Sequence, residues 1–114
     1  NLRINKLRNI INTKHKQGFK LGCYTASSKG NTLLNCLKIK KDIISLVSEN
    51  NKKKIGKFTP GTHIKIVNDQ KFIKEKIQYA LLLSWNYKNF FMKRSNYIKN
   101  GGKFIVPFPK THIT

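Results

Sequence analysis

Residues 19–37, which read FKLGCYTASSKGNTLLNCL, decide the fold. Phe19 to Tyr24 is a largely apolar run of strand length, and a loop of small residues follows from Thr25 to Gly30. From Asn31 to Leu37 the apolar residues recur at helical spacing. A strand, a small-residue loop and a helix in this order predict the first βα unit of an α/β sheet.

The rest of the chain continues this alternation. Helices are predicted over residues 2–17, 69–76 and 87–99, and strands over 42–47, 63–67, 79–83 and 103–106. Short apolar strands alternating with helices are typical of a parallel sheet with helices on both faces. We therefore predict a small Rossmann-like, doubly wound, mostly parallel sheet. Residues 1–114 form one domain in this interpretation, with a leading helix at 1–18 and a core at 19–107.

The chain is strongly basic, with a formal net charge of +20 and 24 basic residues against 4 acidic ones. Such a balance raises the question of a nucleic-acid or membrane partner. All but three of the basic residues (Arg3, Arg8 and Arg94) are Lys, whereas proteins that read nucleic acids rely on Arg. No apolar run approaches the roughly 18 residues that span a membrane. We favour a solvated lysine-rich surface, with nucleic acid disfavoured and no membrane partner.

The chain offers little for self-contained catalysis. Cys23 and Cys36 form no CxxC pair and are predicted to be buried free thiols, as in the reducing cytoplasm. His15, His63 and His112 have no Cys or carboxylate at ligand spacing, so no metal site is predicted. Four unpaired acids are a poor stock for general acid–base chemistry. We assign no catalytic residue and do not expect a complete active site.

The segment from Ala26 to Thr32 is the strongest local feature. In a doubly wound sheet it lies at the carboxyl edge, where ligands bind, and the first N–H groups of the helix favour an anion. Lys29 and the hydroxyls of Ser27, Ser28 and Thr32 would add contacts. The loop is neither a Walker A loop nor a GxGxxG loop, so a plain N-capped βα turn remains the alternative to phosphate binding.

Four other residues stand near the ends of later predicted strands. Glu49 follows Gly30 by nineteen residues, where dinucleotide-binding folds place an acid for a ribose hydroxyl. An exposed loop residue that balances nearby lysines is the preferred interpretation of Glu49. We interpret His63 as a hydrogen-bonded structural residue in preference to a catalytic base. Trp85 is either core packing or a stacking wall for a ligand. Asn86 is placed to cap the next helix, in preference to a ligand contact.

Four stretches carry a family resemblance. They are YTASSKGNTLLN at 24–35, GKFTPGTHI at 56–64, LLLSWN at 81–86 and GGKFIVPFP at 101–109. In this order they resemble the C-terminal domain of SAM-dependent sugar C-methyltransferases, over about residues 18–110. Cys23 and Thr25 stand where that family has glycines. Four ordered blocks are far more specific than any single one.

The resemblance implies a Rossmann-like domain that binds a nucleotide-linked keto-sugar. SAM and the general base would belong to a methyltransferase domain in cis or in trans, so no cofactor is expected on this domain and the isolated chain is expected to be inactive. The predicted substrate-binding residues are Ser27, Ser28, Lys29, Gly30, Asn31, Thr32, Thr59, His63, Trp85 and Asn86, with Glu49 as a ribose or loop contact. The alternatives are a non-catalytic docking module and, third, a basic nucleic-acid-binding domain.

Overall fold

A computed structural model describes residues 2–114. The helices are α1 (Leu2–Lys16), α2 (Ser28–Leu37), α3 (Asp69–Lys74), α4 (Lys88–Arg94) and α5 (Asn96–Lys99), with a short 3₁₀ helix at Trp85–Tyr87. The strands are β1 (Leu21–Tyr24), β2 (Ile44–Ser48), β3 (Lys65–Val67), β4 (Tyr79–Leu82), β5 (Lys103–Val106) and β6 (His112–Ile113). Asn1, the first residue of the predicted leading helix, lies outside the described residues.

The strands form one sheet in the order β3-β2-β1-β4-β5-β6. β1 pairs in parallel with β2 and β4, with Leu21 opposite Ile44 on one side and Tyr79 on the other. β3 and β5 extend the parallel sheet outward, and β6 pairs antiparallel with β5. The prediction of a Rossmann-like, mostly parallel sheet is confirmed. Because the strand order reverses between β1 and β4, the carboxyl ends of these two strands mark the topological switch point.

Helices cover both faces of this sheet. On one face, Leu7 of α1 and Leu34 of α2 pack with Cys23 of β1 in an aliphatic core. On the other face, Tyr24, Phe72, Tyr97 and Phe104 form an aromatic core beneath α3 and α5. Successive residues of β1 alternate between these faces because side chains point to opposite sides of a strand. All four residues of β1 are buried, as expected for the central strand of a covered parallel sheet.

The aromatic core leaves no room for a side chain at Gly22. A Cβ atom there would lie 2.6 Å from Cε1 of Phe72 and 2.9 Å from the backbone oxygen of Leu46. The hydroxyl of Tyr24 shares a hydrogen bond of 2.8 Å with Oγ of Ser95. Burial also raises the pKa of the Tyr24 and Tyr97 hydroxyls above the ordinary tyrosine range. Both side chains therefore stay neutral in the folded protein.

Two predicted helices differ from the structure in their bounds. α2 begins at Ser28, three residues earlier than predicted, because Oγ of Ser27 accepts a hydrogen bond from the N–H of Gly30 and caps the helix. The predicted helix over 87–99 is wrong as a single element. It is broken at Ser95, which adopts an extended conformation, bonds Tyr24 and caps α5 through Ile98.

Two further features were not anticipated. The sequence did not reveal β6, which has two residues and lies at the edge of the sheet. Cys23 is buried as predicted, but Cys36 is exposed. α2 buries Leu33, Leu34 and Leu37 along one stripe, and position 36 falls outside it. Within residues 2–114, no helix has the length and apolar character that crossing a membrane requires.

Candidate functional site

The candidate site is the carboxyl edge of the sheet at the switch point. Here the N-terminus of α2 lies against the end of β4. Oγ of Ser27 donates to the backbone oxygen of Leu83 at 3.2 Å while it caps α2. A Cβ atom at Gly30 would lie 2.3 Å from Cβ of Leu83. Only glycine at position 30 therefore allows α2 to pack this closely against β4.

The start of α2 presents unused hydrogen-bond donors. The backbone N–H groups of Ser28 and Lys29 have no acceptor among residues 2–114. The next two N–H groups are satisfied by Ser27, through its side chain and its backbone oxygen. Free N–H groups at a helix start stabilise an anion by about 0.3–1 kcal/mol in exposed geometry. This end of α2 is therefore electrostatically suited to phosphate or carboxylate.

A cavity of about 320 Å³ opens on one side of the α2 start, and we call it the Phe58 cavity. It lies between α2 and the loop that joins β2 to β3. The polar and aromatic residues of its lining are Ser27, Ser28, Asn31, Lys54, Lys57, Phe58 and Thr59. Oδ1 of Asn31 is buried and has no hydrogen-bond partner within the described chain. Buried polar atoms normally have a hydrogen-bond partner. The wall of the cavity at Asn31 therefore holds an acceptor whose hydrogen bond is not made.

A second cavity of about 250 Å³ lies on the other side of the α2 start, and we call it the Trp85 cavity. It is lined by Ser27, Ser28, Lys29, Trp85 and Asn86, among others. Nζ of Lys29 lies 5.8 Å from the centroid of the Trp85 ring, within the range of a cation–π interaction. Trp85 is half-buried and packs edge-to-face on another aromatic ring, as the packing role predicts. Its role as a stacking wall for a ligand stays a prediction.

The predicted capping role of Asn86 is wrong. Asn86 lies inside the short 3₁₀ helix, and α4 follows with Tyr87 at its N-cap position and no side-chain cap. Ser84 and Asn86 both follow β4, and the sequence does not determine which of them precedes the helical turn; in the structure it is Ser84. Asn86 instead lines the Trp85 cavity.

Glu49 ties two loops of the site together. Oε1 accepts a hydrogen bond of 2.9 Å from the N–H of Ala26, and Oε2 accepts from the N–H groups of Asn50 and Asn51. Nζ of Lys54 donates to the backbone oxygen of Ala26 across the same gap. Glu49 is half-buried and bonded to the loop at Ala26, so its interpretation as an exposed loop residue is wrong. A ribose contact stays a prediction, since this carboxylate already accepts three backbone donors.

We expect Glu49→Ala to lower the free energy of unfolding by about 1.5–3 kcal/mol, because each lost bond is to a charged acceptor. The amides of Ala26, Asn50 and Asn51 should exchange with deuterium markedly faster. Glu75→Ala is the matched control, because Glu75 is a surface residue that pairs with Lys71 on one helical turn. Equal stability losses in the two variants would contradict the bridging role of Glu49.

Thr25 occupies a strained backbone position at the end of β1. Its φ is 68°, in the left-handed region that β-branched residues rarely adopt. Its N–H donates 2.7 Å to the backbone oxygen of Ser48, and its hydroxyl bonds that of Ser84. These contacts fix the loop conformation despite the strain. The resembling family has glycine at this position, which adopts positive φ without penalty.

The turn at 59–64 places Thr59 and His63 in different roles. The buried hydroxyl of Thr59 bonds Thr62 and accepts from the N–H of Ile64, so Thr59 shapes the turn while it lines the Phe58 cavity. His63 lines neither of the two cavities. Its ring stacks on Phe58 with the centroids 4.4 Å apart and an interplanar angle of 5°.

The structure brings most of the predicted site residues together. Ser27, Ser28, Lys29, Asn31, Thr59, Trp85 and Asn86 all line one or both cavities. Gly30 serves helix packing, and Thr32 is exposed with its hydroxyl bonded to the backbone of Ser28. Sequence reasoning missed Lys54, Lys57 and Phe58, although the last two lie in the resembling stretch 56–64.

The carboxyl edge of the sheet carries polar, cationic and aromatic groups. Over residues 2–114, no group of three His, Cys, Asp or Glu side chains comes together as metal ligands would. The edge combines helix N–H donors, lysines, hydroxyls and aromatic rings around two small cavities. Fold and geometry together define a doubly wound α/β domain with two cavities at its switch point.

Comparison with known proteins identifies the family. Residues 3–109 match the C-methyltransferase C-terminal domain, and the chain belongs to this family. It is also similar to the C-methyltransferase NovU of Streptomyces niveus, with 29% identity over 109 residues. The matched segment covers 95% of this chain and 26% of that relative, so the chain spans about a quarter of the relative's length. The resemblance seen in the four sequence stretches is confirmed.

Proposed function

We propose that this domain binds the nucleotide-linked keto-sugar substrate of a SAM-dependent C-methyltransferase. The observation that carries the proposal is the pair of cavities that flank the free N–H groups of α2 at the switch point. A ligand with a central diphosphate and a different group at each end matches two cavities on either side of an anion site.

The charges of the cleft support a phosphorylated ligand. Lys29 lies at one cavity, and Lys54 and Lys57 line the other. None of the four acidic residues lines either cavity. The lysines would supply direct contacts in addition to the weak field of the helix, and charge-assisted hydrogen bonds are the stronger kind.

Membership of the family suggests which domain carries each part of the reaction. In this proposal, SAM and the general base belong to a methyltransferase domain that is linked in cis or associates in trans, and the cleft closes between the two domains. The chain contains no GxGxxG motif, in keeping with a substrate-side role. The proposal includes a cytoplasmic location, in keeping with Cys23 and Cys36, which are both free thiols.

Isothermal titration with a thymidine diphosphate sugar tests the proposal. Lys29→Ala and Lys57→Ala should each weaken binding about three- to tenfold, because each removes a charged donor from the cleft. Lys16→Ala and Lys99→Ala remove the same charge far from the cleft and should change affinity less than twofold. Equal losses in all four variants would mean that the ligand senses only net charge, which contradicts a substrate cleft.

A further inference from the structure

Phe58 is an exposed aromatic side chain at the mouth of a cavity. It is 47% exposed, and it lines the Phe58 cavity. His63 stacks parallel on it without lining that cavity. One face of the Phe58 ring is therefore covered, and its remaining surface is available to an occupant of the cavity. Phe58 and His63 form a pair of stacked rings, and we call this pair the platform.

The platform is held in place by the turn behind it. His63 has a φ of 57°, and its N–H donates 2.9 Å to the backbone oxygen of Thr59. Thr59 and Ile64 are joined by two hydrogen bonds, one through the backbone and one through the Thr59 hydroxyl. These bonds constrain His63 in a conformation that an L residue rarely adopts. The His63 ring thus supports Phe58 before any ligand arrives.

The same cavity contains a platform for a flat ring and donors for an anion. Ser28, with its free backbone N–H, and Lys57 both line it together with Phe58. The cavity volume of about 320 Å³ is at the small end of ligand sites, about 300–1,000 Å³. A flat heterocycle joined to a phosphate has the chemistry that this arrangement recognises. The Trp85 cavity beyond the α2 start is then left for the sugar.

We propose that the nucleobase of the ligand stacks on the Phe58–His63 platform, with the diphosphate at the start of α2 and the sugar toward Trp85. This inference rests on the proposed function and assigns the orientation of the ligand within it. Stacking uses the face of the base and not its hydrogen-bonding edges. The platform therefore accepts different bases, and the sugar end sets the selectivity of the domain.

The test compares two exposed phenylalanines. Phe58→Leu removes the ring and keeps an apolar side chain. Phe90→Leu makes the same change at a residue that is 53% exposed and lines neither cavity. Thymidine 5′-diphosphate and glucose 1-phosphate serve as separate probes of the two ends of the ligand. Phe58→Leu should weaken thymidine 5′-diphosphate binding about tenfold and leave glucose 1-phosphate binding unchanged, since base stacking is lost only with the first probe.

Three further results complete the test. The complex of the parent domain with thymidine 5′-diphosphate should give nuclear Overhauser contacts between the thymine H6 proton and the Phe58 ring. Phe58→Trp should retain the affinity, and Phe90→Leu should behave as the parent. If Phe58→Leu and Phe90→Leu bind thymidine 5′-diphosphate as the parent does, the platform is refuted while the proposed function stands. If the parent binds neither probe, the proposed function itself fails.

Discussion

Replacing Phe72 by Ala is expected to lower the free energy of unfolding by about 3–5 kcal/mol, a large fraction of the roughly 5–15 kcal/mol that stabilises a domain. Phe72 is fully buried on α3 and packs edge-to-face against Tyr24 and Tyr97. Its ring also fills the space over Gly22, where no side chain fits. The truncation would leave a cavity in the aromatic core that rigid sheet residues cannot fill.

Urea denaturation followed by circular dichroism measures this loss. Phe90→Ala deletes the same side chain from an exposed position and should change stability by only about 0.5 kcal/mol. A loss below about 1.5 kcal/mol for Phe72→Ala would mean that the core relaxes around the cavity. Such a result would contradict the close packing of the aromatic core around Phe72.

Gly30→Ala is expected to destabilise the domain, against the preference of its own helix. Helix propensity alone favours Ala over Gly by about 1 kcal/mol. The added methyl group, however, would lie 2.3 Å from Cβ of Leu83 and 2.9 Å from Oγ of Ser27. Overpacking of this kind costs about 1–3 kcal/mol, so the net change is a loss. The start of α2 must also move away from β4, and both cavities change shape.

A lower stability of Gly30→Ala would show that packing against β4 outweighs helix propensity, and a higher stability would show the reverse. Thermal denaturation gives the stability, and titration with a thymidine diphosphate sugar gives the affinity, which should fall by more than tenfold. Cys36→Ala lies on α2 at an exposed position outside both cavities and should leave both quantities nearly unchanged. A more stable Gly30→Ala variant with parental affinity would contradict the close packing of α2 on β4.

The fold was predictable because hydrophobic patterns report burial directly. The apolar runs of β1 and β4 are short and bounded by polar residues, as is typical of buried parallel strands. The break at Ser95 was not predictable, because it depends on a hydrogen bond to Tyr24, 71 residues away in the chain. β6 was equally hidden, since two residues are too few for any periodicity.

The site was predictable only in part, for a related reason. The small-residue loop after β1 carries its own signal, and Ser27 does cap α2 as such loops often do. The role of Glu49 depends on three backbone donors, one of which lies 23 residues away. The pairing of Phe58 with His63 depends on a turn whose geometry is set by the two hydroxyls of Thr59 and Thr62. Patterns along the chain do not specify such contacts.

The most direct test of the substrate cleft is a map of amide shifts in the ¹⁵N-labelled domain during titration with a thymidine diphosphate sugar. We expect saturable shifts concentrated at residues 26–32 and 57–59 and at the indole N–H of Trp85. Shifts that are scattered over the lysine-rich surface and do not saturate would contradict it, as would a spectrum that does not change. Either of these results would favour a docking module over a substrate-binding domain.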